Sequence, residues 1–206
     1  MHIATGPGPH IDAVVELAAQ ASADHDRFVF ESDEQAAHVH RELLQRGASD
    51  CSEPYCQLLI DGNEVRGLTA AMSGRDLATA RIRMAMAMAS SGLFAPGSAI
   101  RERMKLASRT RSQVGEDDYY LARIAVAKPA RGRGYGRTLL EAVISKAHDS
   151  GCARLLLDVA SGNADAIALY ERHGFVHAGA DAVEDVASGR RLEHLHMVKV
   201  LTAQNP

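Results

Sequence analysis

Leu121-Ala-Arg-Ile-Ala-Val126 is a largely apolar run that leads through Ala127-Lys-Pro-Ala130 into Arg131-Gly-Arg-Gly-Tyr-Gly136, directly ahead of Arg137-Thr-Leu-Leu140. A strand that feeds a glycine-rich turn, which in turn opens a helix, commits this stretch to a mixed α/β architecture. Gly132, Gly134 and Gly136 remove side chains at alternate positions, so backbone N–H groups can converge on an anion. The helix start behind them adds partial positive charge. The turn is therefore a candidate phosphate cradle, with an unliganded glycine turn as the alternative.

Two common cradles fit poorly. A Walker loop needs Gly, four residues, then Gly-Lys-Ser/Thr. Counted from Gly132, the second glycine position is Arg137 and no lysine follows. A dinucleotide fingerprint needs Gly-x-Gly-x-x-Gly. Its third glycine falls on Arg137 or, counted from Gly134, on Leu139. What stands here is Arg131-x-x-Gly134-x-Gly136. A second segment follows, Asn163-Ala-Asp-Ala-Ile-Ala-Leu-Tyr-Glu-Arg-His-Gly-Phe175. Asn163 suits an N-cap, Asp165 the first turn, and Gly174 the left-handed position that stops a helix. Between the two lies Arg154-Leu-Leu-Leu-Asp-Val159, which reads as a short buried strand.

Both segments, in this order, resemble the signatures of the GNAT acetyltransferases over about residues 118–177. The first is similar to the family's Gln/Arg-x-x-Gly-x-Gly/Ala pyrophosphate motif, the second to its Asn…Leu-Tyr-Glu…Gly-Phe motif. The resemblance implies an α/β fold of mixed α+β type. A central twisted, mostly antiparallel sheet would be flanked by helices and split near Val126. It implies acetyl-CoA as cosubstrate and a primary amine as acceptor. Backbone groups near Ile124, Ala125 and Val126 would pair with the pantetheine arm. Arg131, Gly132, Arg133, Gly134, Tyr135 and Gly136 would take the pyrophosphate. Arg137 and Thr138 extend that helix start, and Asn163 would sit near the pantetheine or adenine end.

Composition frames the rest. A chain of 206 residues suits one domain over 1–206 with a real core. A net charge of −3 argues against a nucleic-acid partner. The sequence has no apolar run of about 20 residues, so no membrane span is expected. The N-terminus lacks the pattern of a secretion signal. Cys51, Cys56 and Cys152 form no paired framework and suit inert thiols in a cytoplasmic protein. A homodimer through the C-terminal strands stays open.

Upstream, Ile11, Val14, Val15 and Ala18 predict an amphipathic helix over about 10–21. A second helix is expected over 33–46, capped by Ser32 or Asp33 and stopped by Gly47. Residues 55–72 read as a β-hairpin turning at Asp61-Gly62-Asn63. The segment 74–116 reads as a helical insertion in two pieces, broken near Ser90-Ser91-Gly92 and Pro96-Gly97. Its excess of arginine fits a solvated helix face, or else a basic lid for an acidic partner. Met84, Met86 and Met88 are expected to fill packing gaps. A last strand is expected over 191–201.

Acetyl transfer to an amine requires that the amine lose a proton, that the carbonyl oxygen be stabilised, and that the leaving thiolate be protonated. The resemblance makes Tyr170 the candidate general acid, since a tyrosine at this motif position lies near the coenzyme sulfur. For the base, some relatives carry a carboxylate on the strand before the phosphate turn. Alternation would put Asp118, Tyr120, Ala122, Ile124 and Val126 on one face. The expected carboxylate positions hold Tyr120 and Ala122, so Asp118 acting through water and Tyr120 remain as candidates. His194-x-His196 and His38-x-His40 could be metal pairs, but no third ligand is evident and no metal is expected. A non-catalytic acyl-CoA sensor and a protein lysine or N-terminal acetyltransferase are the alternatives to a small-molecule N-acetyltransferase.

Overall fold

The computed structural model describes residues 1–90 and 94–201. Its strands are β1 (His2–Thr5), β2 (Cys56–Asp61), β3 (Glu64–Ser73), β4 (Asp118–Val126), β5 (Arg154–Ala160), β6 (Val176–Asp185) and β7 (Arg190–Val200). They form one sheet in the order β1-β2-β3-β4-β5-β7-β6. Every neighbouring pair is antiparallel except β4 and β5. A parallel pair needs a long crossover, and helix α6 (Tyr135–Asp149) supplies it.

The helices ahead of β2 are α1 (Ile11–Ala21), α2 (Ala23–Val29) and α3 (Asp33–Gln45). The expected α1 and α3 are both present, and Ser32 caps α3 by accepting from the Gln35 N–H. Strand β1 and helix α2 had no expectation. The hairpin forms as expected, with Gly62 at positive φ in its turn. The segment 74–116 holds α4 (Gly74–Ala89), α5 (Ala99–Ala107) and a 3-10 turn at Ser108–Thr110. Of the expected break, Ser91 and Gly92 lie outside the described residues. Met88 packs with Phe28, Phe94 and Ile100, but Met86 is 70% exposed and fills no gap. Among the described residues, no helix is long and apolar enough to cross a membrane.

The β4/β5 pair positions the site. Parallel pairing runs only from Asp118↔Arg154 to Leu121↔Leu157. Beyond it, β4 continues to Val126 and β5 to Ala160 without bonding one another. The split thus opens after Leu121, five residues earlier than expected at Val126. On the other edge of β4, Ala70 pairs with Arg123 and Ala71 with Leu121, which leaves Ala122 as the extra residue of a bulge.

The bulge overturns the expected alternation. Tyr119, Leu121 and Ile124 all join the core beneath α6, with Leu140 and Val143. Tyr120 and Ala122 pack instead with Met72 and Leu77, and Ala125 with Val14 and Leu58. Ile124 therefore does not share a face with Tyr120. Close contact of α6 with the sheet requires Gly67, where a Cβ would stand 2.6 Å from the Ala125 carbonyl and 2.8 Å from Leu139 Cδ1.

Candidate active site

The split between β4 and β5 opens a cavity of about 1110 Å³. Ala122–Val126 of β4 and Asp158–Ala160 of β5 supply facing parts of its lining. Helix α7 (Ala164–Arg172) adds Tyr170, and the turn before α6 adds Arg131, Gly132, Gly134, Tyr135, Gly136 and Arg137. Gln20, Ser22 and His25 from the N-terminal helices and His194 from β7 complete the set relevant to chemistry.

The glycine turn before α6 has the backbone its sequence implies. Gly134 caps α6 at φ 83°, a left-handed conformation that a residue with a Cβ adopts only under strain. A Cβ built on Gly134 meets nothing within 4 Å, so the helix start faces open space. The turn is tied to the β2–β3 hairpin, since the Tyr135 hydroxyl donates to Asp61 Oδ2 at 2.6 Å. Ile124, Ala125, Val126 and Asn163 also line the cavity, whereas Arg133 and Thr138 do not. Thr138 turns its hydroxyl back to the Gly134 carbonyl at 3.4 Å. Asn163 caps α7, its Oδ1 accepting from the Ala166 N–H at 3.3 Å.

Tyr170 is 5% exposed and lines the cavity. Its ring tilts against Phe175 at 5.7 Å, and its hydroxyl has no hydrogen-bond partner among the described residues. Burial pushes that hydroxyl well above the ordinary tyrosine range, so it keeps its proton.

Tyr120 and Asp118 are placed differently from the expectation. Asp118 lies at the closed end of the β4/β5 pair and outside the cavity lining. Its carboxylate accepts from Arg154 Nε at 2.8 Å, Arg154 Nη2 at 2.9 Å and the Gly115 N–H at 2.8 Å. These bonds brace the strand pair at the end away from the cavity. Tyr120 also lies outside the lining, but its hydroxyl donates at 2.8 Å to Asp158 Oδ2, and Asp158 lines the cavity.

Asp158, which lines the cavity, stands inside the apolar run 154–159, where a lone acid is the sequence signal that marks it. Ser112 donates its N–H to both oxygens, at 3.2 and 3.1 Å, and its hydroxyl to Oδ1. His196 Nδ1 adds a contact to Oδ1 at 2.7 Å, and its Nε2 meets Asp181 Oδ2 at 2.9 Å. Burial alone would raise the Asp158 carboxyl, but the bonds from Ser112, His196 and Tyr120 hold it below its ordinary value. Burial would lower His196, and the two carboxylates reverse that and raise it. Both His196 nitrogens are thereby occupied, which leaves it no role as a metal ligand. Among the described residues no group of three or more His, Cys, Asp or Glu is arranged to hold a metal.

On the N-terminal side, half-buried Arg123 binds both Asp50 oxygens through Nε at 2.8 and 2.9 Å, and its Nη1 reaches the Ala18 carbonyl and the Ser22 hydroxyl. Next to it, Asp26 accepts from Ser22 and contacts His40 Nε2 at 2.7 Å and His25 Nδ1 at 3.3 Å. A polar framework thus surrounds the wider part of the split.

A parallel strand pair that parts midway, with a glycine-capped helix start beside the gap and a buried tyrosine across it, can be set against known proteins. The chain matches the Acetyltransferase (GNAT) family over residues 24–175. It belongs to that family. The [Ribosomal protein bS18]-alanine N-acetyltransferase of Escherichia coli (strain K12) is 43% identical over 74 residues, 36% of this chain and 50% of the relative. The N-alpha-acetyltransferase MAK3 of Arabidopsis thaliana is 41% identical over 59 residues, 29% of this chain and 31% of the relative. The chain thus spans half or less of the length of these relatives. Among solved structures, an N-acetyltransferase from Staphylococcus aureus Mu50 aligns with a TM-score of 0.68 at 16% identity, covering 97% of this chain and all of that one. A Bacillus subtilis acetyltransferase in complex with CoA aligns at 0.54 and 16% identity, covering 98% and 99%. At these identities the structures speak for the fold.

Proposed function

We propose that the chain is an acetyl-CoA-dependent N-acetyltransferase and that its acceptor is the α-amino group of a peptide. The observation that carries the transferase reading is the split itself. It joins a glycine-capped helix start, an unpaired β4 edge and a proton-bearing tyrosine in one cavity. The open space in front of Gly132 and Gly134 fits a pyrophosphate. The backbone of Ile124 to Val126 offers the pantetheine arm a strand edge. Acetyl-CoA supplies an activated acetyl group as a thioester. Tyr170 holds the proton that the departing sulfur needs. Arg131 and Arg137 add charge at the phosphate turn. The choice of a peptide α-amine is supported by the two relatives, whose names specify an alanine of a ribosomal protein and N-alpha acetylation.

The test is calorimetric titration with acetyl-CoA and CoA, with ATP and NAD as controls, followed by thiol release on an amine panel. The panel holds an alanine-initiated peptide, an N-blocked lysine peptide, a polyamine and free amino acids. Selective coenzyme binding with release on the alanine peptide is expected. Absence of coenzyme binding sinks the reading. Release on a polyamine or amino acid alone moves the acceptor to a small molecule, and coenzyme binding without release on any amine makes the chain an acyl-CoA sensor.

A further inference from the structure

Attack by an amine needs an unprotonated base within reach of the amine's proton, and Asp158 is poorly suited to the task. Its oxygens already accept from Ser112, Tyr120 and His196. His194 lines the same cavity and is not so occupied. Strand register sets it opposite Ala160, in the part of β5 that has parted from β4.

The tautomer of His194 follows from its hydrogen bond to the Thr110 side chain. Nδ1 lies 2.8 Å from Thr110 Oγ1. That hydroxyl spends its single proton on the Ala107 carbonyl at 2.9 Å. Thr110 Oγ1 can therefore only accept from the ring, so Nδ1 carries the hydrogen and Nε2 carries the lone pair. No hydrogen bond of Nε2 is found among the described residues.

We propose that His194 is the general base of the transfer, its Nε2 taking the proton that the acceptor nitrogen sheds on acetylation. This rests on the N-acetyltransferase reading. The amine nitrogen bonds to the acetyl carbon, the C–S bond breaks, and the nitrogen's proton passes to Nε2. The sulfur takes its proton from the Tyr170 hydroxyl. The imidazolium then returns its proton to solvent, and Tyr170 regains one from there.

The surroundings keep this imidazole neutral. Burial lowers its pKa from the ordinary 6.5; Asp158 and a hydrogen bond to the Thr110 backbone oppose this, and the charges of Arg111 and His196 add to the lowering. Asp181 stands opposite His194 in the β6–β7 register, but its carboxylate is committed to His196. Asp24, His25 and Asp165 share the cavity lining. A neutral ring is free to accept a proton at pH 7.

The closing experiment follows kcat against pH with the alanine-initiated peptide and acetyl-CoA. Wild type is expected to gain rate as pH rises and to level off, with a midpoint below 6.5. His194→Asn is expected to lose about 100-fold or more in kcat and to lose that limb, while calorimetry finds its acetyl-CoA affinity within about twofold. Thr110→Val frees the ring from its fixed tautomer and is expected to cost about tenfold in kcat with KM unchanged. Nitrogen-15 spectra of the full chain read the ring directly, and a neutral Nδ1–H form at pH 7 is expected. An Nε2–H or charged ring at pH 7, or wild-type kcat in His194→Asn, overturns the proposal and leaves the transferase reading standing. If wild type itself releases no thiol on any amine, the transferase reading fails and the base with it.

Discussion

The two sides of the cavity, one proposed to hold the coenzyme and the other, toward Asp158 and His194, proposed for the acceptor, are built in opposite ways. The proposed coenzyme side is local. Residues 124–137 supply an unpaired strand edge, a glycine turn and a helix start in one continuous stretch. The acceptor side is assembled from segments far apart in the chain. Asp158 meets Ser112 across 46 positions and His196 across 38, and His194 meets Thr110 across 84. The first side depends on backbone conformation, the second on side chains that only the finished fold brings together. Substitutions should therefore fail differently on the two sides.

The largest effect is expected on the coenzyme side. Gly134→Val forces a β-branched residue to φ 83° and puts its side chain into the open space ahead of α6. Calorimetry should find no measurable acetyl-CoA binding, with circular dichroism checking that the fold survives the backbone strain, since the new side chain itself strikes nothing. Retained affinity would break the comparison by showing that the turn's backbone does not hold the coenzyme.

Next is a loss of stability on the acceptor side. Arg123→Met leaves the partly buried Asp50 without the guanidinium that now holds its carboxyl low against the raising effect of burial. Leaving a partly desolvated partner unsatisfied costs about 1–3 kcal/mol, readable by urea unfolding. The same substitution also frees the Ala18 carbonyl and the Ser22 hydroxyl from Arg123. A loss under about 1 kcal/mol, the range of a surface pair, would mean that this side does not depend on its long-range ion pair.

The same division explains what the sequence disclosed. The phosphate turn, the α7 cap at Asn163 and the hairpin at Gly62 depend on neighbouring residues, and each formed as expected. The bulge at Ala122 is a property of how β3 and β4 pair, and no pattern within β4 announces it. It therefore moves Ile124 off the face that strict alternation gives it. Asp118 drew attention because it sat on the right strand, yet Arg154 claims it once β5 lies alongside. Helix α2 lacks a side-chain cap, and β1 has four residues held mainly by pairing with β2. His194-x-His196 was visible as a pair, but the partners that separate their roles, Thr110 for one and Asp158 with Asp181 for the other, were not.

A third change acts where the two sides meet. Tyr170→Phe keeps the ring against Phe175 and removes only the hydroxyl. Turnover should fall by about 100-fold, the lower range for a general acid, with acetyl-CoA affinity unchanged. Equal falls in affinity and turnover would make Tyr170 a binding group of the coenzyme side. Wild-type turnover would remove it from the chemistry.

The smallest effect sharpens the comparison at one residue that belongs to both descriptions. Asn163 caps α7 through Oδ1 and also lines the cavity. Asn163→Ala loses the cap and should cost about 1 kcal/mol of stability. Asn163→Ser keeps a capping oxygen, because a serine hydroxyl accepts from the same N–H, so its stability should stay within a few tenths of a kcal/mol of wild type. The two variants differ in the cap but share the loss of the Nδ2 donor. If that donor binds the coenzyme, both should weaken acetyl-CoA by about tenfold, the worth of one hydrogen bond, although only the alanine variant melts earlier. If acetyl-CoA affinity holds in Asn163→Ser, the residue acts through the helix alone, and the coenzyme side relies on backbone even here.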